Sequence, residues 1–239
     1  MNALVSKIIA AHGGLEQWRK FSSLRARLIQ GGALWTLKGH PSTLSETNVT
    51  VDLAREWASH SPFGPEAMIS SFEPGRVALS NADGEVLEEL LDPRSSFAGH
   101  TLETPWSELQ LAYFAGCAMW TYLNMPFLLA HENVEVEELP DWSENGETWH
   151  RLKVTFPADI VSHSAAQTIY FDDAGLLKRH DYDVEIAGGT PGAHYISEYT
   201  DVQGIKIPTR RRIYPRQADG RSLPEPLVVS IELSDIVLT

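Results

Sequence analysis

Apolar residues recur at helical spacing at the start of the chain and with a period of two after it. The first pattern comprises Leu4, Ile8, Ile9, Leu15, Trp18 and Phe21. His12-Gly13-Gly14 interrupts it where a left-handed helix end is expected, so we predict two short helices within residues 1–22. From Leu24 to Leu28 the period is two, which predicts the first strand, and Gly31-Gly32 predicts a sharp bend after it.

Most of the remaining chain also has the pattern of strands separated by turns. The predicted segments are 48–57, 68–72, 77–80, 86–91, 149–156, 167–171, 176–186, 193–200, 205–214 and 227–238. Turn sequences such as Glu73-Pro74-Gly75-Arg76 and Asp173-Ala174-Gly175 indicate consecutive hairpins. We therefore predict a mostly β protein with about ten or eleven antiparallel strands.

A strongly apolar segment in the middle of the chain predicts a buried helix. Thr104-Pro105 is a helix start signal, and residues 106–123 leave almost no polar face. A helix that is apolar nearly all round must be buried on nearly all sides, so we expect 104–130 to form a helical plug. Tyr113 and Trp120 in this segment either fill the core or line a cavity.

Composition narrows the choice of partners. The chain has 32 acidic against 19 basic residues, a net charge of -13, which argues against nucleic acid as a partner. Cys117 is the only cysteine, and no apolar run reaches the length of a membrane span. Without a recognisable secretory signal, a cytoplasmic location is expected. No Gly-rich phosphate loop follows a strand, so no cofactor is predicted.

These features resemble the LolA-like superfamily. The likeness lies in a helical N-terminus leading into Leu24–Leu28, the apolar mid-chain helix, and the late hairpin 169–177. It implies a single domain over 1–239, in which a curved antiparallel half-barrel has helices packed on its concave side around an apolar cavity. Whether the barrel is half-open or closed is not fixed by the pattern.

Within this superfamily the chain resembles a bacterial subgroup of uncharacterised function. The residues that carry this likeness are an early Ala-His-Gly-Gly-Leu segment and Arg179-His180-Asp181-Tyr182. The chain departs from the lipoprotein carriers because it shows no signal sequence and no lipidation cysteine near its start. We therefore expect a ligand other than a lipoprotein in transit across a periplasm.

Strand parity predicts which polar residues face inward. Along 176–186 the even positions include His180 and Tyr182, and along 205–213 the odd positions place Arg211 among isoleucines. If His194 and Glu198 also face inward, the five residues form a polar island in an apolar wall. The alternative is a structural ion pair between Arg211 and Glu198, with the two histidines bonded to neighbouring backbone or tyrosine groups.

The leading hypothesis is that an apolar or amphipathic, lipid-like small molecule binds between the sheet and the helix. The second is an enzyme in the same cavity that uses His180 or His194 for acid-base chemistry. A metal site is the weakest alternative, because His180, His194 and a carboxylate lack any close ligand spacing. The ligand-binding residues that we predict are His180, Tyr182, His194, Glu198, Arg211, Tyr113 and Trp120.

Overall fold

The computed structural model describes residues 2–239, which form one continuous antiparallel sheet and four α-helices. The helices are α1 (Ala3–Ala11), α2 (Leu15–Trp18), α3 (Ala33–Leu37) and α4 (Glu108–Asn124), with short 3-10 helices at Pro93–Phe97, Phe127–Ala130 and Glu185–Ala187. The strands are β1 (Ser23–Gly31), β2 (Glu46–Asp52), β3 (Ala58–Ser61), β4 (Ile69–Glu73), β5 (Arg76–Ser80), β6 (Val86–Leu91), β7 (Glu135–Glu144), β8 (Glu147–Thr155), β9 (Ala166–Phe171), β10 (Leu177–Val184), β11 (Thr190–Val202), β12 (Ile205–Pro215) and β13 (Val229–Leu238).

The sheet is open and curved. Its spatial order is β6-β5-β4-β3-β2-β1-β13-β12-β11-β10-β9-β8-β7, so the last strand joins the first in the middle and the two edges are β6 and β7. This architecture confirms the predicted half-open antiparallel sheet with few helices. None of the helices in residues 2–239 combines the length and the apolarity needed to cross a bilayer.

The sheet has two more strands than the segments predicted above. The segment predicted at 48–57 ends instead at Asp52, whose carboxylate accepts hydrogen bonds from the backbone N–H groups of Ala54 (2.8 Å) and Arg55 (2.9 Å). This side-chain turn separates β2 from β3. The other additional strand is β7, a glutamate-rich edge strand without an alternating apolar face.

The predicted start of the long helix is corrected. Helix α4 begins at Glu108, three residues beyond Pro105, with Ser107 as its N-cap. The Ser107 hydroxyl accepts from the Gln110 backbone N–H (3.2 Å), and the Gln110 side chain accepts from the Ser107 N–H (3.0 Å). This reciprocal capping box satisfies two helix-end donors, whereas Thr104 lies in a turn before it.

Helix α4 is buried along its whole length from Leu111 to Asn124, as its apolar sequence predicted. It packs against the half of the sheet that contains β2 to β5. The closest approach is at Gly116, where an added Cβ would lie 2.3 Å from Cβ and 2.5 Å from Cγ of Phe72 in β4. A glycine is therefore required for the helix to lie this close to the sheet.

We predict that Gly116→Ala lowers the free energy of unfolding by about 2 kcal/mol, because the overpacking exceeds the gain in helix propensity. Urea unfolding at constant pH measures the change. The matched control is Gly75→Ala, because an added Cβ there meets no atom within 4 Å. Unchanged or increased stability of the Gly116 variant would contradict this account of the helix packing.

Candidate functional site

A cavity of about 260 Å3 lies between α4 and the half of the sheet that α4 does not contact closely. The sheet side includes Tyr182 of β10, Ile213 of β12 and Ile231 of β13. The helix side is one face of α4, formed by Phe114, Ala115, Ala118, Met119 and Tyr122. The cavity exists because α4 lies off-centre on the sheet, against β2 to β5.

Small side chains on α4 keep this space open. Ala115 and Ala118 are one turn apart and both face the cavity, whereas Gly116 faces Phe72 on the opposite side. The glycine thus brings the helix to one half of the sheet, and the alanines leave a gap toward the other half. The lining is mainly aliphatic and aromatic, which suits the apolar part of a ligand.

The segment before α4 borders the cavity at a partly exposed end. Leu37 lines it and is 41% exposed, and Leu102 and Trp106 line it from the segment preceding α4. The Lys38 ammonium donates to the carbonyl oxygens of Thr101 (3.2 Å), Leu102 (2.6 Å) and Thr104 (2.9 Å). Lys38 therefore fixes this segment against α3, and we call Leu37 and Leu102 the cavity mouth.

Two tyrosines are among the polar residues of the cavity wall, which also include Gln30 and Thr190. Tyr122 of α4 and Tyr182 of β10 both line the cavity, and their hydroxyl oxygens are hydrogen-bonded to each other. The Tyr122 hydroxyl also lies 2.9 Å from Nε2 of His163. A few polar side chains thus interrupt a mainly apolar wall, the arrangement expected for orienting the polar end of a ligand.

A buried histidine and arginine lie behind the tyrosine pair. Nδ1 of His194 is 3.4 Å from the Tyr182 hydroxyl, and its Nε2 is 3.4 Å from Nη1 of Arg211. Nη2 of Arg211 donates to the backbone oxygen of Tyr122 at 2.9 Å, and the guanidinium carbon lies 5.3 Å from the centre of the Tyr122 ring. These contacts link Arg211 to the cavity through one imidazole.

Burial keeps the groups around Arg211 uncharged near neutral pH. It lowers the pKa values of His163 and His180 to about 3 and that of His194 well below 6.5, and the Arg211 charge lowers the last two further. Burial also raises the pKa values of Tyr122 and Tyr182 above the usual 10. Arg211 is thus the charged group of this cluster.

The structure places the inward-predicted residues at two depths. Tyr182 lines the cavity, whereas His194 and Arg211 are buried behind it. His180 also faces inward, but its Nε2 lies 2.5 Å from the Gln167 side-chain oxygen. Gln167 in turn donates to Ser162 (2.9 Å) and to the Ser164 carbonyl (2.8 Å), so His180 belongs to a buried hydrogen-bond network.

Glu198, a predicted ligand-binding residue if it faced inward, faces outward instead. Glu198 has a left-handed backbone conformation with φ of 56°, which turns its side chain away from the face that a regular strand would give it. Its side chain is 52% exposed, and its carboxylate pairs with Arg210. The alternative ion pair between Glu198 and Arg211 is therefore absent as well.

Tyr113 and Trp120 lie on the other sides of α4 from the cavity. The Tyr113 ring packs edge-on against Phe72, 5.5 Å between ring centres. The Trp120 indole donates to the backbone oxygens of Asp52 (3.0 Å) and Arg55 (2.9 Å), and it borders a second cleft of about 320 Å3. Neither residue lines the cavity described above.

The sequence interpretation missed three residues of the site. Tyr122 was grouped with the apolar helix, although its hydroxyl is hydrogen-bonded to Tyr182. The other two are Gln167, which lies in β9, and His163, which lies just before it. The available signal was strand pairing. Because β9 pairs with β10, Gln167 lies beside the strand that carries His180. His163 precedes β9 in a loop, where periodicity gives no orientation.

Two of the outward-facing charges of β10, Arg179 and Asp181, are also buried, which strand alternation did not predict. Arg179 is 0% exposed and forms a bidentate pair with Asp181, at 2.7 and 2.8 Å. It donates as well to Glu144 of β7 at 2.9 Å, and Tyr170 donates to Asp181 at 2.9 Å. Each buried charge in this cluster has a partner of opposite sign, so the cluster is structural.

Comparison with solved structures supports the fold. The chain is similar to a LolA superfamily protein from Nitrosomonas europaea, with a TM-score of 0.54 and 9% identity over 98% of this chain and 92% of that one. It is also similar to a DUF1329 family protein from Desulfovibrio piger, with a TM-score of 0.49 and 13% identity over 99% and 92%. The first of these likenesses confirms the predicted LolA-like fold.

Sequence comparison adds no family. No family model matches the chain, and no curated protein does either. The structure shows a LolA-like fold with a cavity between α4 and the sheet.

We predict that acid destabilises the protein below about pH 6.5. Burial lowers the pKa values of His12 and His60 to about 4 and those of His163 and His180 to about 3, so the unfolded state binds more protons than the folded state between these values and 6.5. The stability that depends on these histidines being neutral is fully present above pH 6.5 and is lost as the pH falls. A histidine shifted from 6.5 to about 3 contributes a loss of about 2 kcal/mol by pH 5.

The measurement is the free energy of unfolding at pH 7 and pH 5. Glu56, whose pKa burial raises to about 8, acts in the opposite direction, but it is one group against several histidines. His60→Leu removes one titrating group and should reduce the loss between the two pH values. Equal stability at both pH values in the unmodified protein would contradict the burial of neutral histidines.

Proposed function

We propose that the protein binds an apolar or amphipathic small molecule in the cavity between α4 and strands β10 to β13. The observation that carries this proposal is a mainly apolar space of about 260 Å3 whose wall includes Tyr122 and Tyr182. An apolar gap of this size forfeits packing energy unless something fills it. A lipid-like molecule matches its chemistry, since the chain fits the apolar wall and the head meets the tyrosines.

The shared fold supports the same class of ligand. The similar protein from Nitrosomonas europaea is assigned to the LolA superfamily, and a likeness to that group implies an apolar cavity inside the curved sheet. The ligand that we propose is a small molecule held inside the fold. The net charge of -13 fits a binding protein that does not associate with nucleic acid.

The geometry favours binding over acid-base catalysis by His180 or His194. His180 is occupied by Gln167 and does not line the cavity, and His194 lies behind Tyr182. A general acid or base needs hydrogen-bond reach to its substrate and a pKa near the working pH, and both histidines are buried with lowered pKa values. The binding hypothesis requires neither condition.

We predict that enlarging Ala118 blocks ligand binding. The probe is phenylnaphthylamine, a neutral fluorophore whose emission rises in apolar surroundings, and its dissociation constant is measured by titration. Ala118→Leu should weaken binding and Ala118→Phe should weaken it by about tenfold or more, because the added carbons occupy the cavity.

The control is Ala82→Phe in the exposed turn between β5 and β6, which should leave the affinity unchanged. Circular dichroism verifies that each variant is folded. Failure of the unmodified protein to bind the probe, together with the absence of any lipid-like molecule in solvent extracts analysed by mass spectrometry, would refute the proposed function. Equal binding by all the folded variants would place the probe elsewhere.

A further inference from the structure

Two arginines are fully buried in this protein, and only one of them is neutralised. Arg179 is paired with Asp181 and Glu144. Arg211 is 2% exposed, and no carboxylate of residues 2–239 lies within 4.0 Å of its guanidinium. Its Nε has no hydrogen-bond partner among the described residues. Arg179 shows how this fold satisfies a buried guanidinium, and Arg211 departs from that arrangement.

No neighbour of Arg211 supplies a negative charge. Its contacts are the His194 ring, the Tyr122 carbonyl and the Tyr122 ring face. The histidines are neutral because burial lowers their pKa values, and burial keeps Tyr122 and Tyr182 protonated. A buried charge without a counter-charge is strongly unfavourable. The cluster therefore has a net positive charge beside an apolar cavity.

The donor and acceptor roles in this cluster are fixed by Arg211, and they determine which group can donate into the cavity. Arginine has only donors, so Nε2 of His194 accepts from Arg211 and its Nδ1 carries the hydrogen. That hydrogen points to the Tyr182 oxygen, which leaves the Tyr182 O–H free to donate. Its present acceptor is Tyr122, whose own O–H can donate to His163. An acceptor in the cavity can replace Tyr122 as the partner of Tyr182.

We propose that the ligand is a single-chain amphiphile with a carboxylate head, which accepts a hydrogen bond from Tyr182 and is neutralised by Arg211 through His194. This inference rests on the proposed function, since it assigns a head group to the ligand of the same cavity. A carboxylate supplies both the acceptor and the negative charge that the cluster lacks. An ammonium head would be repelled, and an alcohol would leave Arg211 uncompensated.

The test compares three ligands with the same chain and different heads: decanoate, decanol and decyltrimethylammonium. Their affinities for the unmodified protein are measured by isothermal titration calorimetry at neutral pH, below the concentrations at which they form micelles. Decanoate should bind about tenfold or more tightly than decanol, and the cation should bind most weakly.

Arg211→Met should abolish the preference for the acid over the alcohol while retaining the affinity for decanol. The matched control is Arg210→Met, because Arg210 is the adjacent residue of β12 but is 42% exposed. This control should keep the preference of the unmodified protein. Tyr182→Phe provides a smaller change that should reduce the same preference.

The outcomes separate the inference from the proposed function. Decanol bound as tightly as decanoate by the unmodified protein would overturn the carboxylate assignment and leave ligand binding intact. No binding of any of the three ligands or of phenylnaphthylamine would refute both. If Arg211→Met does not fold, the ratio of acid to alcohol affinity in the unmodified protein and in Tyr182→Phe decides the question.

Discussion

Helix α4 lies against one half of the curved sheet and is buried from Leu111 to Asn124. This placement depends on Gly116, which lets the helix approach Phe72, and on a sheet long enough to extend beyond the helix. The cavity is a consequence of this packing, because the alanines on the opposite face of α4 do not reach β10 to β13. Apolar burial thus fixes the helix and also creates the space beside it.

The same burial determines the electrostatics of the site. The histidines and tyrosines of the site stay neutral because they are buried. The guanidinium of Arg211 therefore dominates the electrostatic potential at the inner wall. On the outer face of β10, Arg179 is neutralised by two carboxylates and contributes to structure. The difference between these two arginines distinguishes a structural cluster from one whose charge is left for a ligand.

Regular strands made part of the site predictable from sequence. Alternation correctly placed His180, Tyr182 and Arg211 on the inner face, since pleated strands keep their parity over several residues. It could not choose a face for Glu198, and a left-handed backbone angle at a residue other than glycine leaves no periodic signal. The burial of Arg179 was equally unpredictable, since it depends on Glu144 and a carbonyl at Gly220, both distant in sequence.

Helix α4 also has some properties that its own sequence predicts and others that depend on distant parts of the fold. The burial of α4 could be predicted from its composition, but its first residue could not. The start signal at Thr104-Pro105 competes with the one at Ser107, and Lys38 binds the carbonyl oxygens of the earlier segment and keeps it out of the helix. The face of α4 that borders the cavity could not be predicted from the sequence either. That property depends on the off-centre position of the helix, and a pattern that is apolar all round gives no preferred direction.

The most direct test of ligand binding in this cavity is a crystal structure of the protein soaked with decanoate brominated at the end of its chain. Binding in this cavity predicts an anomalous bromine signal toward Leu37 and Leu102, with carboxylate density within hydrogen-bond distance of the Tyr182 hydroxyl. Bromine located only in the cleft beside Trp120, or a cavity closed by Phe114 and Met119, would contradict it.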